Sequence, residues 1–184
     1  YLSGSKALVQ DAKSDLHSRG AVNYFGVKSW PGFEDYAPPP SWWLEEFGDV
    51  RKKTKGVNFG IPYQLGPSSL SRKIKSNVEE CTGLISKYYQ TYPDVLEYVN
   101  QCKESVLNPG HIESPYGHRR RFAQTSDEAV VAAWQRECVN FAIQGTVAKV
   151  LNVALSNLYD YRILFPGKAE YRILLPIHDA VLLE

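Results

Sequence analysis

The chain of 184 residues contains no methionine. It has no initiator, opens at Tyr1-Leu2-Ser3-Gly4 and stops in the apolar run Val181-Leu182-Leu183-Glu184, so both ends read as cut and the chain as an internal piece of a longer protein. No stretch approaches the roughly 18 consecutive apolar residues of a membrane helix, and no signal peptide opens the chain, so no membrane partner is expected. Cysteine is scarce. Cys81, Cys102 and Cys138 form no CxxC pair, and an odd, scattered set fits reduced thiols in a cytoplasmic protein better than a disulfide scaffold. A net charge of +1 gives no global basic field, so any nucleic-acid binding must use local clusters. Neither GxxxxGK[ST] nor GxGxxG occurs, which removes P-loop and Rossmann sites as explanations for nucleotide chemistry. Internal repeats and low-complexity tracts are also absent.

Local basic clusters are present: Arg51-Lys52-Lys53 with Lys55, and Arg119-Arg120-Arg121 after Gly117-His118. Arg51, Lys55, Phe59 and Tyr63 recur every four residues. On a helix each such step advances about 400°, so the four share a stripe roughly 120° wide. A core helix would carry Leu or Val there. Two cations followed by a flat ring and a phenol suit a ligand with a polyphosphate and a base. A solvated charged face accounts for the same spacing.

The pattern predicts helix over 5–27 with a short polar interruption, a span that carries Asp15-Leu16-His17-Ser18. A Pro- and aromatic-rich loop with a short helix follows over 28–48, then the basic helix over 49–64, kinked by Pro62 just before Tyr63. Helices are predicted from Ser68 to Tyr92 and from Pro93 to Leu107. A hairpin is predicted over Glu113 to Phe122 with Gly117 at its turn. Thr125-Ser126-Asp127-Glu128 reads as a capping box with Thr125 as the cap, opening a long helix to about Leu158 that Gly145 is expected to break. Asp160 to Ala169 reads as loop. The apolar runs Tyr171 to Ile177 and Ala180 to Glu184 flank His178-Asp179 as a β-hairpin.

Three constellations occur in order: Arg51-xxx-Lys55-xxx-Phe59-Gly60-xx-Tyr63, then Arg136-xxx-Asn140-xxx-Gln144-Gly145-Thr146, then Ile177-His178-Asp179. Together they resemble the polymerase core of family A DNA polymerases, the bacterial DNA polymerase I-like group, from Tyr1 to Glu184. Asp15-Leu16-His17-Ser18 looks like the family's Asp-Ile-His-Thr, and Tyr24-Phe25-Gly26 fits the segment after it. The resemblance implies an α+β fold. Residues 1–123 would be mostly helical fingers subdomain, with 1–14 at its junction with the palm. Residues 124–184 would be palm with an antiparallel β-sheet, truncated at both chain ends.

The resemblance also implies roles. Arg51 and Lys55 hold the triphosphate of an incoming dNTP, with Lys55 offsetting charge on the transferred phosphoryl group, and His17 adds a phosphate contact. Phe59 packs on sugar and base, and Tyr63 lies near the templating base. Arg136, Asn140 and Gln144 reach the minor groove of primer-template DNA, whose acceptors are nearly the same for all Watson–Crick pairs. A buried hydrogen-bond network would give the same spacing. His178 acts at the primer end, and Arg119, Arg120 and Arg121 contact the template backbone, or form a solvated turn. Asp179 is both catalytic and a Mg²⁺ ligand, one of two carboxylates in a two-metal site. The second is expected about ten residues before Tyr1, so the chain alone is not expected to polymerise.

Three departures from the family stand out: Gln64 where it has Gly, Lys149 within the segment after Gln144, and Ala180 where it has Glu. The function implied is DNA-directed DNA synthesis in a bacterial or phage-infected cytoplasm, with a replication processivity factor as a further partner. Single-subunit RNA polymerases share the His-Asp hairpin and form one alternative. A non-catalytic nucleic-acid-binding protein on a degenerate polymerase fold is the other.

Overall fold

A computed structural model describes residues 2–165, 167–168, 171–177 and 180–184. The first predicted helix is two: α1 (Lys6–Lys13) and α2 (Leu16–Phe25), separated by Ser14 and Asp15. Asp15 caps α2, its carboxylate accepting from the backbone N–H groups of His17 and Ser18, and Gly26 ends the helix in the left-handed conformation.

The basic helix is longer at its start and shorter at its end than its charge pattern suggested. Helix α3 runs Ser41–Gly60, with Pro40 at its N-cap position. Trp42 and Trp43 thus belong to its first turn. Burial decides this: Trp43 is fully buried, its ring 5.0 Å from that of Trp30 and 5.3 Å from that of Phe47, and its indole N–H donates to the Lys28 carbonyl at 2.6 Å. At the other end Pro62 stops the helix rather than kinking it, because it has no N–H to donate. Ile61 makes the last helical bond, to Val57, and Tyr63 lies in the turn that follows.

The single helix predicted from Ser68 to Tyr92 is also two, α4 (Pro67–Ile74) and α5 (Val78–Thr91). Lys75 takes a left-handed φ of 55° and Asn77 caps α5. Helix α6 (Pro93–Leu107) starts at its proline as expected. Strands β1 (His111–Glu113) and β2 (Arg119–Arg121) pair antiparallel, His111 opposite Arg121, with Gly117 at φ +80° in the turn.

Helix α7 (Glu128–Leu164) spans 37 residues. Its cap is Asp127, which accepts from Ala129 and Val130, while Thr125 accepts from Asp127 instead of capping the helix. Gly145 does not break it. The helix passes through, with Phe141 filling the space beside the glycine. Among the described residues α7 alone has the length and composition of a membrane span, with a mean hydropathy of 1.3 over its most apolar 18 residues. Single polar residues interrupt that stretch, so a count of unbroken apolar runs does not register it. Strands β3 (Ile173–Ile177) and β4 (Ala180–Leu183) form the expected antiparallel hairpin. His178 and Asp179, between them, lie outside the described residues.

Three cores lie along the chain. Trp30, Phe33, Trp43 and Ala21 pack the 28–40 loop against α2 and α3. Tyr24, Val57, Leu70, Leu84, Tyr88 and Tyr92 join α2 through α5. Val99, Cys102 and Val106 of α6 meet Phe122 and then Cys138 and Val139 of α7. This last core crosses residue 123. A buried ion pair links the first two cores. Arg19 donates to Asp11 and, at 2.5 Å, to the Phe33 carbonyl, and its guanidinium lies between the rings of Phe33 and Tyr36 at 4.1 and 4.2 Å. Asp11 also accepts from the Tyr92 hydroxyl at 2.6 Å.

Candidate functional site

Helices α2 and α3 approach closely because Gly20 faces Thr54. A Cβ on Gly20 would sit 2.7 Å from the Thr54 methyl carbon. This contact brings the start of α2 alongside the middle of α3. Arg51 reaches across from α3, its Nε donating to Asp15 Oδ2 and to Ser18 Oγ, each at 3.1 Å, and its Nη2 to Asp15 Oδ1 at 3.3 Å. Two turns on, Asn58 Nδ2 donates to the Leu16 carbonyl and lies 3.2 Å from His17 Nδ1. The His17 ring stands 5.7 Å from that of Phe59, and Lys55 Nζ is 5.9 Å from the same ring. Phe59 is 48% exposed, an unusual state for a large aromatic beside a core. His17, Arg51, Lys55 and Phe59, separated by up to 42 residues in the sequence, thus meet on one face. Tyr63 is exposed in the turn beyond α3, off the helical stripe that its spacing implied.

This face sets the ion pair of Asp15 and Arg51 beside the Lys55 charge. Burial holds the His17 pKa below its ordinary value, and the Arg51 charge lowers it further; Asp15 opposes the shift and Lys55 adds to it. Burial alone would raise the Asp15 pKa. The Ser18 N–H and the Arg51 guanidinium outweigh it, so the carboxylate titrates below its usual range. Sharing Lys55 and Phe59 with this face, an open groove of about 810 Å³ runs toward the end of α4, lined also by Asp49, Lys52, Lys53, Lys73 and Lys75.

The second constellation lies on one uninterrupted helix, so the four-residue spacing of Arg136, Asn140 and Gln144 is a true stripe. Arg136 and Gln144 are exposed. Asn140 Oδ1 is buried without a hydrogen-bond partner among the described residues. The hairpin arginines are more occupied than their run suggested. Arg119 pairs with Glu113 and Arg120 with Glu137 of α7, both at 2.6 Å. Arg121 lines a cavity of about 530 Å³ with His111 and Trp134. Sequence reasoning assigned no role to Asp15, Ser18 or Asn58. The signal for Asp15 was its place at a helix start two residues before His17.

Among the described residues no group of three His, Cys, Asp or Glu side chains could hold a metal ion. They do not assemble a donor set for Mg²⁺, and Asp179, the ligand that the resemblance implies, is outside them.

The family model described as DNA polymerase family A matches residues 2–184. The chain belongs to DNA polymerase family A. The thermostable DNA polymerase I of Thermus thermophilus is 30% identical over 191 residues, which cover all of this chain and 20% of that protein. The chloroplastic/mitochondrial DNA polymerase I A of Arabidopsis thaliana is also 30% identical, over 200 residues, all of this chain and 19% of that protein. The chain therefore spans about a fifth of the length of these relatives. In structure it is similar to the POL domain of Pol1 from M. smegmatis, solved in complex with DNA primer-template and dNTP. The TM-score is 0.81 at 25% identity, over all of this chain and 30% of that one. Polymerases of family A are metal-dependent as a class.

Proposed function

We propose that this chain is the nucleotide-gripping part of a DNA-directed DNA polymerase, with residues 1–123 as fingers and 124–184 as part of the palm. The observation that carries the reading is the meeting of His17, Arg51, Lys55 and an exposed Phe59 from two helices. Three basic groups on one side of a half-exposed ring match a triphosphate joined to a sugar and base. Arg51 and His17 donate to phosphate oxygens, Lys55 offsets negative charge as the primer 3′-hydroxyl attacks and pyrophosphate leaves, and Phe59 packs on the nucleotide. Tyr63 is assigned to the templating base. Arg136, Asn140 and Gln144 test the minor groove of the primer-template, and Arg121 contacts the template backbone. The family's metal dependence supports a two-metal transfer with Asp179 as one ligand and His178 at the primer end.

Steady-state single-nucleotide incorporation by the intact protein tests the reading. Arg51→Ala and Lys55→Ala are each expected to lower kcat/KM for dNTP by about 100-fold, the loss of one charge-assisted phosphate contact and its share of transition-state stabilisation. Unchanged kcat/KM in both would remove the assignment.

A further inference from the structure

The Asp15 carboxylate is an acid placed where an anion is to bind, and its contacts show why. It does two things at once. Through Oδ1 it accepts from the backbone N–H groups of His17 and Ser18 at 3.1 Å, which fixes the first turn of α2 and so the place of His17. Through both oxygens it grips Arg51, by Nε at 3.1 Å and Nη2 at 3.3 Å. Ser18, fully buried, completes the grip by donating to Asp15 and accepting from the same Arg51 Nε. The guanidinium is therefore held by its Nε/Nη2 edge. Its Nη1 edge makes no hydrogen bond among the described residues, and the Arg51 side chain remains 34% exposed. Asn58 does the matching work on His17, its Nδ2 lying 3.2 Å from Nδ1, while Nε2 makes no hydrogen bond among the described residues.

We propose that Asp15 is a positioning residue for nucleotide binding: by capping α2 and clasping Arg51 from behind, it presents Arg51 Nη1 and His17 Nε2 together as a two-pronged seat for one polyphosphate. This rests on the nucleotide reading above. A lone arginine on a helix surface must give up its rotamer freedom when it meets its ligand. One already clamped by a carboxylate and a serine has done so beforehand. The bidentate clasp also fixes the plane of the fork, which a lysine at the same place could not use. The negative charge of Asp15 costs some affinity for an anion. It is spent on Arg51, which stands between it and the ligand.

Asp15→Asn is the test, because asparagine caps a helix as well as aspartate does and removes only the charged half of the clasp. In the intact protein the dNTP KM is expected to rise about tenfold while kcat changes by no more than about threefold, the pattern of lost ground-state positioning. In an Arg51→Ala background the same change is expected to alter KM by no more than about twofold, since the group it positions is gone. An unchanged KM in Asp15→Asn overturns the proposal, as does an undiminished effect in the Arg51→Ala background. If Arg51→Ala itself leaves KM and kcat unchanged, the proposal is overturned, and if Lys55→Ala does so too, the nucleotide reading has failed with it. Should Asp15→Asn not fold, Asp15→Ser keeps a cap without the charge and is read by the same cycle.

Discussion

His17 is pulled in opposite directions by folding and by its proposed ligand. Burial, then the positive Arg51, hold its pKa below 6.5 in the folded chain. Below that pH the unfolded chain takes up a proton that folded His17 resists. Its contribution to stability is therefore complete above about pH 6.5 and is lost as pH falls through the lower folded value. A bound polyphosphate acts the other way, because its negative charge favours the imidazolium. Between pH 7.5 and 5.5 nucleotide affinity is expected to rise relative to a His17→Ala variant while thermal stability falls relative to it. Parallel titrations of nucleotide binding and melting temperature check this, and a flat affinity difference would detach His17 from the phosphate. At this scale much of the site was legible. Arg51, Lys55 and Phe59 announced themselves by spacing. Asp15 and Asn58 did not, because an acid at an anion site and an amide beside a stripe gain meaning only once α2 lies against α3.

At the scale of elements, the sequence reading placed most helices correctly and misjudged where they end. The reasons are local. Trp42 and Trp43 looked like loop residues after three prolines, yet burial of Trp43 draws them into α3. Lys75 ends α4 in a left-handed conformation that usually advertises itself with glycine. Gln64 is the same case after α3. Its φ of +60° is one that glycine adopts without strain. Its side chain recovers something through long hydrogen bonds of 3.3 Å to the Ile61 carbonyl and 3.4 Å to the Tyr89 hydroxyl. Gln64→Gly relieves the left-handed strain and gives up those bonds. A net stabilisation of about 1 kcal/mol, or a rise in Tm of about 2–4 °C, is expected for a chain of this size. Differential scanning calorimetry would show it, and a fall in Tm would mean that the Gln64 bonds outweigh the strain.

Across the whole molecule, the cores are joined by few fastenings. The Asp11–Arg19 pair is the most consequential. It ties α1 and α2 to the 28–40 loop and, through Tyr92, to the α5–α6 junction. Nothing in the sequence marked it, since Asp11 and Arg19 look like ordinary surface charges on amphipathic helices. In the fold both are about 5% exposed. Asp11→Ala leaves the guanidinium buried without its counter-charge and is expected to cost about 3–5 kcal/mol, with Arg19→Met on top recovering part of the loss. Urea denaturation of the single and double variants measures both, and a single variant that unfolds at the parent's midpoint would contradict the structural role. At the other end of the chain, α7 exposes Val147, Val150 and Val153, and β3–β4 exposes Leu174, Leu175 and Leu182. The α+β class was readable from the sequence. The crossing of residue 123 by a single core was not, because α6 and α7 are joined by contacts between distant segments.

Helix α3 also has the properties of a lever. Its Trp43 end is locked among aromatic rings, and its Phe59 end carries the exposed ring. Sixteen residues separate them, about 24 Å of rigid rod. A swing of about 10° around Trp43 carries Phe59 through about 4 Å, the thickness of one stacked base, and must take α2 with it, because Arg51 and Asn58 are hydrogen-bonded to Asp15 and Leu16.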